Sequence, residues 1–515
     1  MPKYLARVTD DPRVKVDPRM YDIIHKSLRY YRGDEQKVKY LPSIDNDDTR
    51  KAPHMKERVF DSLNMTKRMS ARLASIVFGK QAEYSFQDNA VGDYINGIFV
   101  DNQFNDLLEQ NLEKGIALGG FAARPYVENN KIKIAWCDAE QFYPLKSNIS
   151  SIQDAVIVSK TIMPGETQDT NTYYTLLEFH EWQNNGDYVI TNELYKSDDA
   201  INVGNQVPLS DLYPDMQAST TFTGITKPLF AYFKMPGSNN KVLDSPLGLG
   251  IVPNNEHTLK NISIVHDNLL WEIKTGKRTV LVPPEYIEFD DLHRPKFNTE
   301  TDAFVAINGM DNDKPQELNM DIRIQEYDQT MQFYLRELEA GCGVSAGTFS
   351  TSATAMQTAT QVVSENSMTY QTRESILTML DKFINDLCIA ILEMGSTAQL
   401  FSNHQAQISD VDFDNIGLSI HHDDSVFVDA NTQQDQDLKA VAGGVMSKKT
   451  FLMRNYGMSA EDAEKELTEI QSEQQTNTNN MVLDPISKAL NGVESAKGKE
   501  LPTDNNDAEN AQEDD

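Results

Sequence analysis

Residues 343–367 read GVSAGTFSTSATAMQTATQVVSENS, and two readings compete for them. The first five, Gly343-Val344-Ser345-Ala346-Gly347, match G-x-S-x-G, the nucleophile elbow of the α/β-hydrolases. An elbow needs a strand entering the turn and a helix leaving it. The preceding segment, IRIQEYDQTMQFYLRELEAGCG, instead places Ile324, Tyr327, Met331, Leu335 and Leu338 at helical steps. Behind Ser345 runs an uncharged loop, and the histidines downstream are His404, His421 and His422. The stretch therefore reads as a loop between helices, and the catalytic use of Ser345 is the weaker alternative.

Moving outward, NNEHTLKNISIVHDNLLWEIKTGKR sets Leu259, Ile262, Val265, Leu269 and Ile273 at three- and four-residue steps, a helix about 30 Å long. Between it and the helix ending near Ala340 lie residues 279–318, rich in Pro and Asp, which read as a small compact insert. Two helices bracketing an insert suggest a hairpin-like stalk with a tip. On the other side, Thr358 to Met394 contains neither proline nor glycine. Val362, Tyr370, Leu377, Leu380, Ile384, Leu387 and Ile391 keep helical spacing there, predicting a helix longer than about 50 Å. Such a helix needs neighbours, which the subunits of a ring would supply.

The N-terminal half mixes periods. MKERVFDSLNMTKRMSARLASIVFGKQ predicts an amphipathic helix with Val59, Leu63, Met69, Leu73 and Val77 on one face. VGDYINGIFVDNQFNDLLEQNLEKGIALGG predicts another helical stretch, stopped by Gly119-Gly120. FAARPYVENNKIKIAWCDAEQFYPL alternates around an Asn-Asn turn as a hairpin, and DAVIVSKTIM, TYYTLLEFHEW and DYVITNELYKS continue as antiparallel strands. ISDVDFDNIGLSIHHDDSVFVD returns to strand character. DLKAVAGGVMSKKTFLMRNYGMSAEDAEKELTEIQSEQQ predicts a helical unit with Ser447 and Ser459 as N-caps and Gly457 between helices. The fold class is α+β.

Composition narrows the function. A net charge of −31 over 515 residues argues against a protein that grips DNA, since affinity for phosphates comes from Lys and Arg. It leaves room for one that surrounds DNA without gripping it. Cys137, Cys342 and Cys388 lie far apart, as reduced thiols of a cytoplasm would. The N-terminus lacks an apolar signal core and no apolar run approaches a membrane span, so no membrane partner is expected. Residues 500–515 carry seven acids and no base, an acidic tail with little to bury.

The catalytic motifs fail in turn. His421-His422-Asp423-Asp424 points adjacent side chains to opposite faces of a strand, so no metal site is expected. Asp410-Val411-Asp412-Phe413-Asp414 opens like a calcium loop, but Asn415 and His421 stand where glycine and glutamate belong. Gly79-Lys80, Gly276-Lys277 and Gly498-Lys499 lack the Ser/Thr of a Walker loop. No catalytic residue, metal or cofactor is expected, and the chain reads as a non-enzyme.

The order of parts resembles the portal (head-to-tail connector) proteins of long-tailed double-stranded DNA bacteriophages, over roughly residues 20–475. GVSAGTFS after a helix, then TATQVVSENSMTYQTRES, is similar to the region joining stem to crown in that family. PLFAYFKMPGSNN…SPLGLG and GVMSKKTFLMRNYGMSAEDAEKELTEI match as well, while Gln361 stands where many relatives carry glutamate. The resemblance implies a ring, usually of twelve subunits, with a central channel at one capsid vertex. It divides the chain into an N-terminal arm (1–19), a wing (20–254), a first stem helix (255–280), a clip (281–321) and a second stem helix (322–342). A tunnel loop (343–358), a long helix with wing strands (359–430), a crown (431–475) and an acidic disordered tail (476–515) follow.

The channel-facing residues so implied are Ser345, Thr348, Phe349, Ser350, Thr351, Ser352, Thr354, Met356 and Gln357, with Gly341, Gly343 and Gly347 as the loop's hinge. Ala340 to Ser364 carries no charge, which suits a loop that touches sliding DNA without phosphate contacts. The implied partners are other copies of the chain, double-stranded DNA, a terminase, head-completion or adaptor proteins, and the major capsid and scaffold proteins. The implied location is the virion, after assembly in the host cytoplasm. A minor capsid or scaffold-type protein without a channel is the other alternative.

Overall fold

A computed structural model of the chain describes residues 3–34, 36–40, 56–78, 82–148, 151–165, 171–275, 279–282, 288–289, 295–296, 304–306, 316–318, 321–351, 367–422, 430–456, 458 and 462–470. They divide into two compact units, Met1–Phe427 and Val428–Asp515.

In the first unit, β1 (Tyr4–Leu5) leads to α1 (Arg19–Arg32), which stops at Gly33 in the left-handed conformation. β2 (Gln36–Tyr40) and β3 (Lys56–Phe60) pair antiparallel. This corrects the helix expected from Met55 onward: Val59 lies in a strand, 53% exposed, and Leu63 precedes the helix. The cause is Asn64, whose side-chain oxygen accepts the Lys67 N–H at 3.3 Å and caps α2 (Met65–Phe78) there. After β4 (Glu83–Phe86), the single helical stretch expected at 91–120 is two helices, α3 (Asn89–Asp101) and α4 (Phe104–Leu118). Gln103 between them is left-handed, at φ 49°. The neighbouring Asn102 side chain bonds Ile132 O and Ile134 N, and the bend stacks Phe104 on Phe99 at 3.9 Å.

The strands run as the alternation predicts. β5 (Gly120–Glu128) and β6 (Lys131–Asp138) form the hairpin, with Asn129 and Asn130 at φ 52° and 60°. β7 (Phe142–Ser147), β8 (Ile152–Met163), β9 (Thr172–Trp182), β10 (Tyr188–Ser197) and β11 (Gly204–Val207) join β1 in one antiparallel sheet, with β12 (Ser219–Phe222) beside β10. β13 (Ala231–Lys234) pairs with β5 to complete a smaller sheet. Phe121 and Ala123 of β5 enter one core, and Ala122 between them enters the other, so this strand is buried on both faces.

The PLGLG motif explains how the next helix is placed. A Cβ on Gly248 would lie 2.3 Å from Gly119 O, and one on Gly250 would lie 2.0 Å from Ala117 O. Only glycine admits this backbone crossing, which delivers the chain into α5 (Val252–Thr275). Short strands follow: β14 (Thr279–Val282), β15 (Glu288–Phe289), β16 (Pro295–Lys296), β17 (Phe304–Ala306) and β18 (Gln316–Leu318), with β14 between β17 and β18. α6 (Ile324–Cys342) then returns antiparallel to α5. At one end Glu272 binds Arg323 at 2.8 Å and Tyr327 at 2.7 Å, and at the other Asn255 bonds Gly341 O at 3.4 Å.

α7 (Ser367–Ser396) is the described part of the long helix, and its 30 residues span about 45 Å. Residues 358–366 of the expected helix lie outside the described residues. Part of its surroundings comes from its own chain. From Leu387 to Leu392 every residue is buried, and β5, β13, α2 and α3 of the same chain pack along the helix. β19 (Leu418–His421) pairs back onto β4.

In the second unit, α8 (Ala430–Ala442) and α9 (Lys448–Tyr456) are joined by an Asn455–Asp437 hydrogen bond of 3.0 Å. Ser447 acts as the expected cap, accepting Thr450 N–H at 3.0 Å. Ser459 and Gly457 lie outside the described residues. Residues 462–470 are helical, with Ala463 fully buried.

Candidate functional site

The site begins where α6 ends. Gly343 sits at φ 72° and its N–H reaches Ala340 O, while Val344 N–H reaches Glu339 O at 2.9 Å. These two bonds make a Schellman cap, closed by burial of Val344 beside Leu338 in the larger core. A β-carbon on Gly343 would meet Thr372 Oγ1 at 2.5 Å, so the glycine serves both the left-handed turn and a close approach to α7.

Residues 345–351 then fold back on α6. The Glu339 side chain, on a residue 1% exposed, accepts Phe349 N–H at 2.6 Å and Ser350 N–H at 2.8 Å through one oxygen, and Ser350 Oγ–H at 2.7 Å through the other. Gln332, two turns earlier, accepts Thr351 N–H at 2.7 Å. Gly347 N–H donates to Ser350 Oγ, and Thr348 Oγ1 donates to Ser345 O. α7 holds the other side: Ser345 N–H donates to Thr369 Oγ1 at 2.8 Å, and Thr372 Oγ1 donates to Gly343 O at 2.5 Å. Phe349 packs against the larger core.

Of the residues singled out from sequence, Ser345 and Ser350 are buried here, Thr348 and Phe349 are half-buried, and Thr351 is exposed. Gly341 lies within the last turn of α6, where a β-carbon would come 2.0 Å from Asn255 Oδ1. Gly347, at φ 95°, is exposed at the turn. Ser352, Thr354, Met356 and Gln357 lie outside the described residues. Glu339, Gln332, Thr369 and Thr372 were not singled out. The available signal was Glu339 on the same helical face as Leu335 and Leu338, an acid in an apolar row just before a long uncharged run.

This geometry does not suit a hydrolase. A helix, not a strand, enters the turn, and Ser345 is 5% exposed. Its Oγ accepts from Thr369 N–H and Oγ1, and among the described residues no histidine bonds it. His421 and His422 are also engaged locally: His421 stands opposite Glu83 in the β4–β19 pair, and His422 Nε2 lies 2.6 Å from Asp381. Among the described residues no three His, Cys, Asp or Glu side chains are placed to hold a metal ion. The most enclosed ionic cluster joins β5, β9 and β10: Arg124 to Glu178 at 2.8 Å, Glu178 to His180 at 2.7 Å, His180 to Tyr188 at 3.0 Å. Burial pushes the Glu178 carboxyl up, but Arg124 and His180 outweigh it and leave the group below the usual range. It ties sheets together and presents no nucleophile.

The site thus joins an antiparallel helix pair, a clamped uncharged segment and a long helix. Comparison with known families places the chain among phage portal proteins: the SPP1 Gp6-like portal family matches residues 15–480. The chain belongs to that family. Membership implies assembly into an oligomeric ring and association with the capsid of the virion. A search of curated proteins finds no match. Among the described residues no helix is long and apolar enough to cross a membrane.

Proposed function

We propose that this portal protein forms a ring, of twelve copies, around a channel at one capsid vertex, and conducts double-stranded DNA during packaging, retention and ejection. The family match over 15–480 carries this reading, supported by the order α5, insert, α6, uncharged segment, α7. On it, α5 and α6 are the stem, the strands between them the clip, residues 20–254 and 359–430 the wing, and 431–475 the crown. On this reading the uncharged stretch from Thr351 to Gln357 meets DNA in the channel, and Ser345 to Ser350, buried or half-buried against the helices apart from Ala346 and Gly347, form its base. Without Lys or Arg it makes no phosphate ion pairs, so each step of the duplex passes without a salt-dependent barrier.

The clip, between Pro283 and Asp321, docks the terminase during packaging and a head-completion or adaptor protein afterwards. Wing and crown face the major capsid and scaffold proteins and the packaged genome. Assembly takes place in the host cytoplasm. The packaging ATPase is a separate protein.

Mass and symmetry of the purified protein test this first. Twelve copies of 58.1 kDa give about 700 kDa, with a central hole in class averages. A chain that stays monomeric at high concentration, with and without scaffold, would refute the ring. Terminase binding undiminished by deletion of 283–321 would refute the docking assignment alone.

A further inference from the structure

The segment leaving α6 is held harder than a run of small uncharged residues requires. From Ala340 to Ser364 the sequence has no charge with which to anchor itself. The anchor comes from the residue just before. Glu339 buries an anion whose described partners are two backbone N–H groups and one hydroxyl, all within 2.8 Å. Burying a carboxylate is costly unless its lone pairs are filled, so an apolar side chain would serve simple packing better. What the carboxylate adds is geometry: bonds to a charged acceptor are about twice as strong as neutral ones, and two oxygens fix three donors at once.

Glu339 and Gln332 lie seven residues apart on α6, on one face, and together they hold the N–H groups of Phe349, Ser350 and Thr351. Thr369 and Thr372 grip the same segment from the first turns of α7. Residues 343–351 are thus a junction fastened to two helices at once.

We infer that Glu339 is a positioning residue: its carboxylate locks 343–351 into a joint fastened to α6 and α7, and so fixes the course of the chain as it leaves α6. This rests on the channel reading above. Gly343 and Gly347 lie inside this clamped region, and Gly341 lies in the last turn of α6.

The test is hydrogen exchange by mass spectrometry on the full-length assembled protein, reading peptides over 343–351 in wild type, Glu339→Gln, Glu339→Ala and Gln332→Ala. Wild type should protect the amides of Phe349, Ser350 and Thr351. Glu339→Ala should speed exchange at Phe349 and Ser350 about tenfold or more, and Glu339→Gln, which keeps one acceptor, less. Gln332→Ala should expose Thr351 alone, which keeps the clamp testable if Glu339→Ala does not fold. DNA per head, measured by complementation with each folded variant, should fall with the loss of protection while ring mass stays unchanged. Fast exchange in wild type, or no change in the variants, overturns the clamp whatever the chain's function. Lost protection with undiminished packaging overturns the positioning role. A protected segment in a protein that forms no ring overturns the channel reading while leaving the clamp measured.

Discussion

Asp267 shows how one side chain fixes the register between distant segments. Both of its oxygens meet the Arg58 guanidinium at 2.5 Å, and one also accepts Asp61 N–H at 3.1 Å, so the β2–β3 hairpin is fastened to the middle of α5. Arg58 also lies 4.6 Å over the Trp271 ring, which shields the pair from water. With the Asp267 side chain 4% exposed, Asp267→Asn should destabilise the first unit by about 3 kcal/mol, because it removes the buried charge on which two guanidinium bonds and the Asp61 N–H converge. Denaturant unfolding of the variant checks this, and a change under about 1 kcal/mol would mean that the pair is screened like a surface bridge. The bonds from Arg58 hold the Asp267 carboxyl below the ordinary aspartate range. A depressed folded-state value gives stability that is present above the unfolded value and lost as pH falls through the folded one. The wild type should therefore lose stability on acidification beyond what Asp267→Asn loses, and the two curves should converge at low pH.

Elements here are set by their ends and crossings more than by their periods. Gly250→Ala should cost about 3 kcal/mol, since the new methyl group meets a backbone carbonyl that has no rotamer to yield. Gly97→Ala should do the opposite. Gly97 lies within α3 with nothing within 4 Å of a β-carbon, so alanine should add up to about 1 kcal/mol through helix propensity. Thermal melts of the two variants should move in opposite directions, and a shared direction would discredit the crossing geometry. The same contrast explains what could be read from sequence. The strand alternation of 120–197, the Asn129-Asn130 turn and the helix pair around the insert were legible, because local pattern alone specifies them. The breaks at Asn64 and Gln103 were not, since each depends on one residue adopting a left-handed backbone that its neighbours' hydropathy does not announce. Burial of α7 by its own chain was also hidden, as it follows from which sheet reaches it. At the site, the uncharged run was visible in the sequence. Glu339 was not, because an acid among apolar positions has meaning only once its donors are known.

The whole molecule must assemble against its own charge. Each copy carries a net −31, and placing many copies side by side raises a repulsion that grows with every subunit added. Opposing it, the helix pair of the single chain leaves apolar side chains in water: Ile273 at 47%, Ile324 at 61% and Phe333 at 53% exposed. Burial of such groups does not weaken with salt, whereas repulsion between charges more than a Debye length apart is screened, over about 10 Å at 0.1 M and about 3 Å at 1 M. The fraction of chains in rings should therefore rise as NaCl is raised from about 0.05 to 0.5 M. Deletion of residues 500–515 removes seven acids and no base, so the truncated chain should reach the same fraction at lower salt. Native mass spectrometry or mass photometry across that series reads both effects. Rings that fall apart as salt rises would mean that ion pairs between subunits, rather than apolar contact, hold the assembly. In that case the exposed side chains of α5 and α6 would not be the surface that closes the ring.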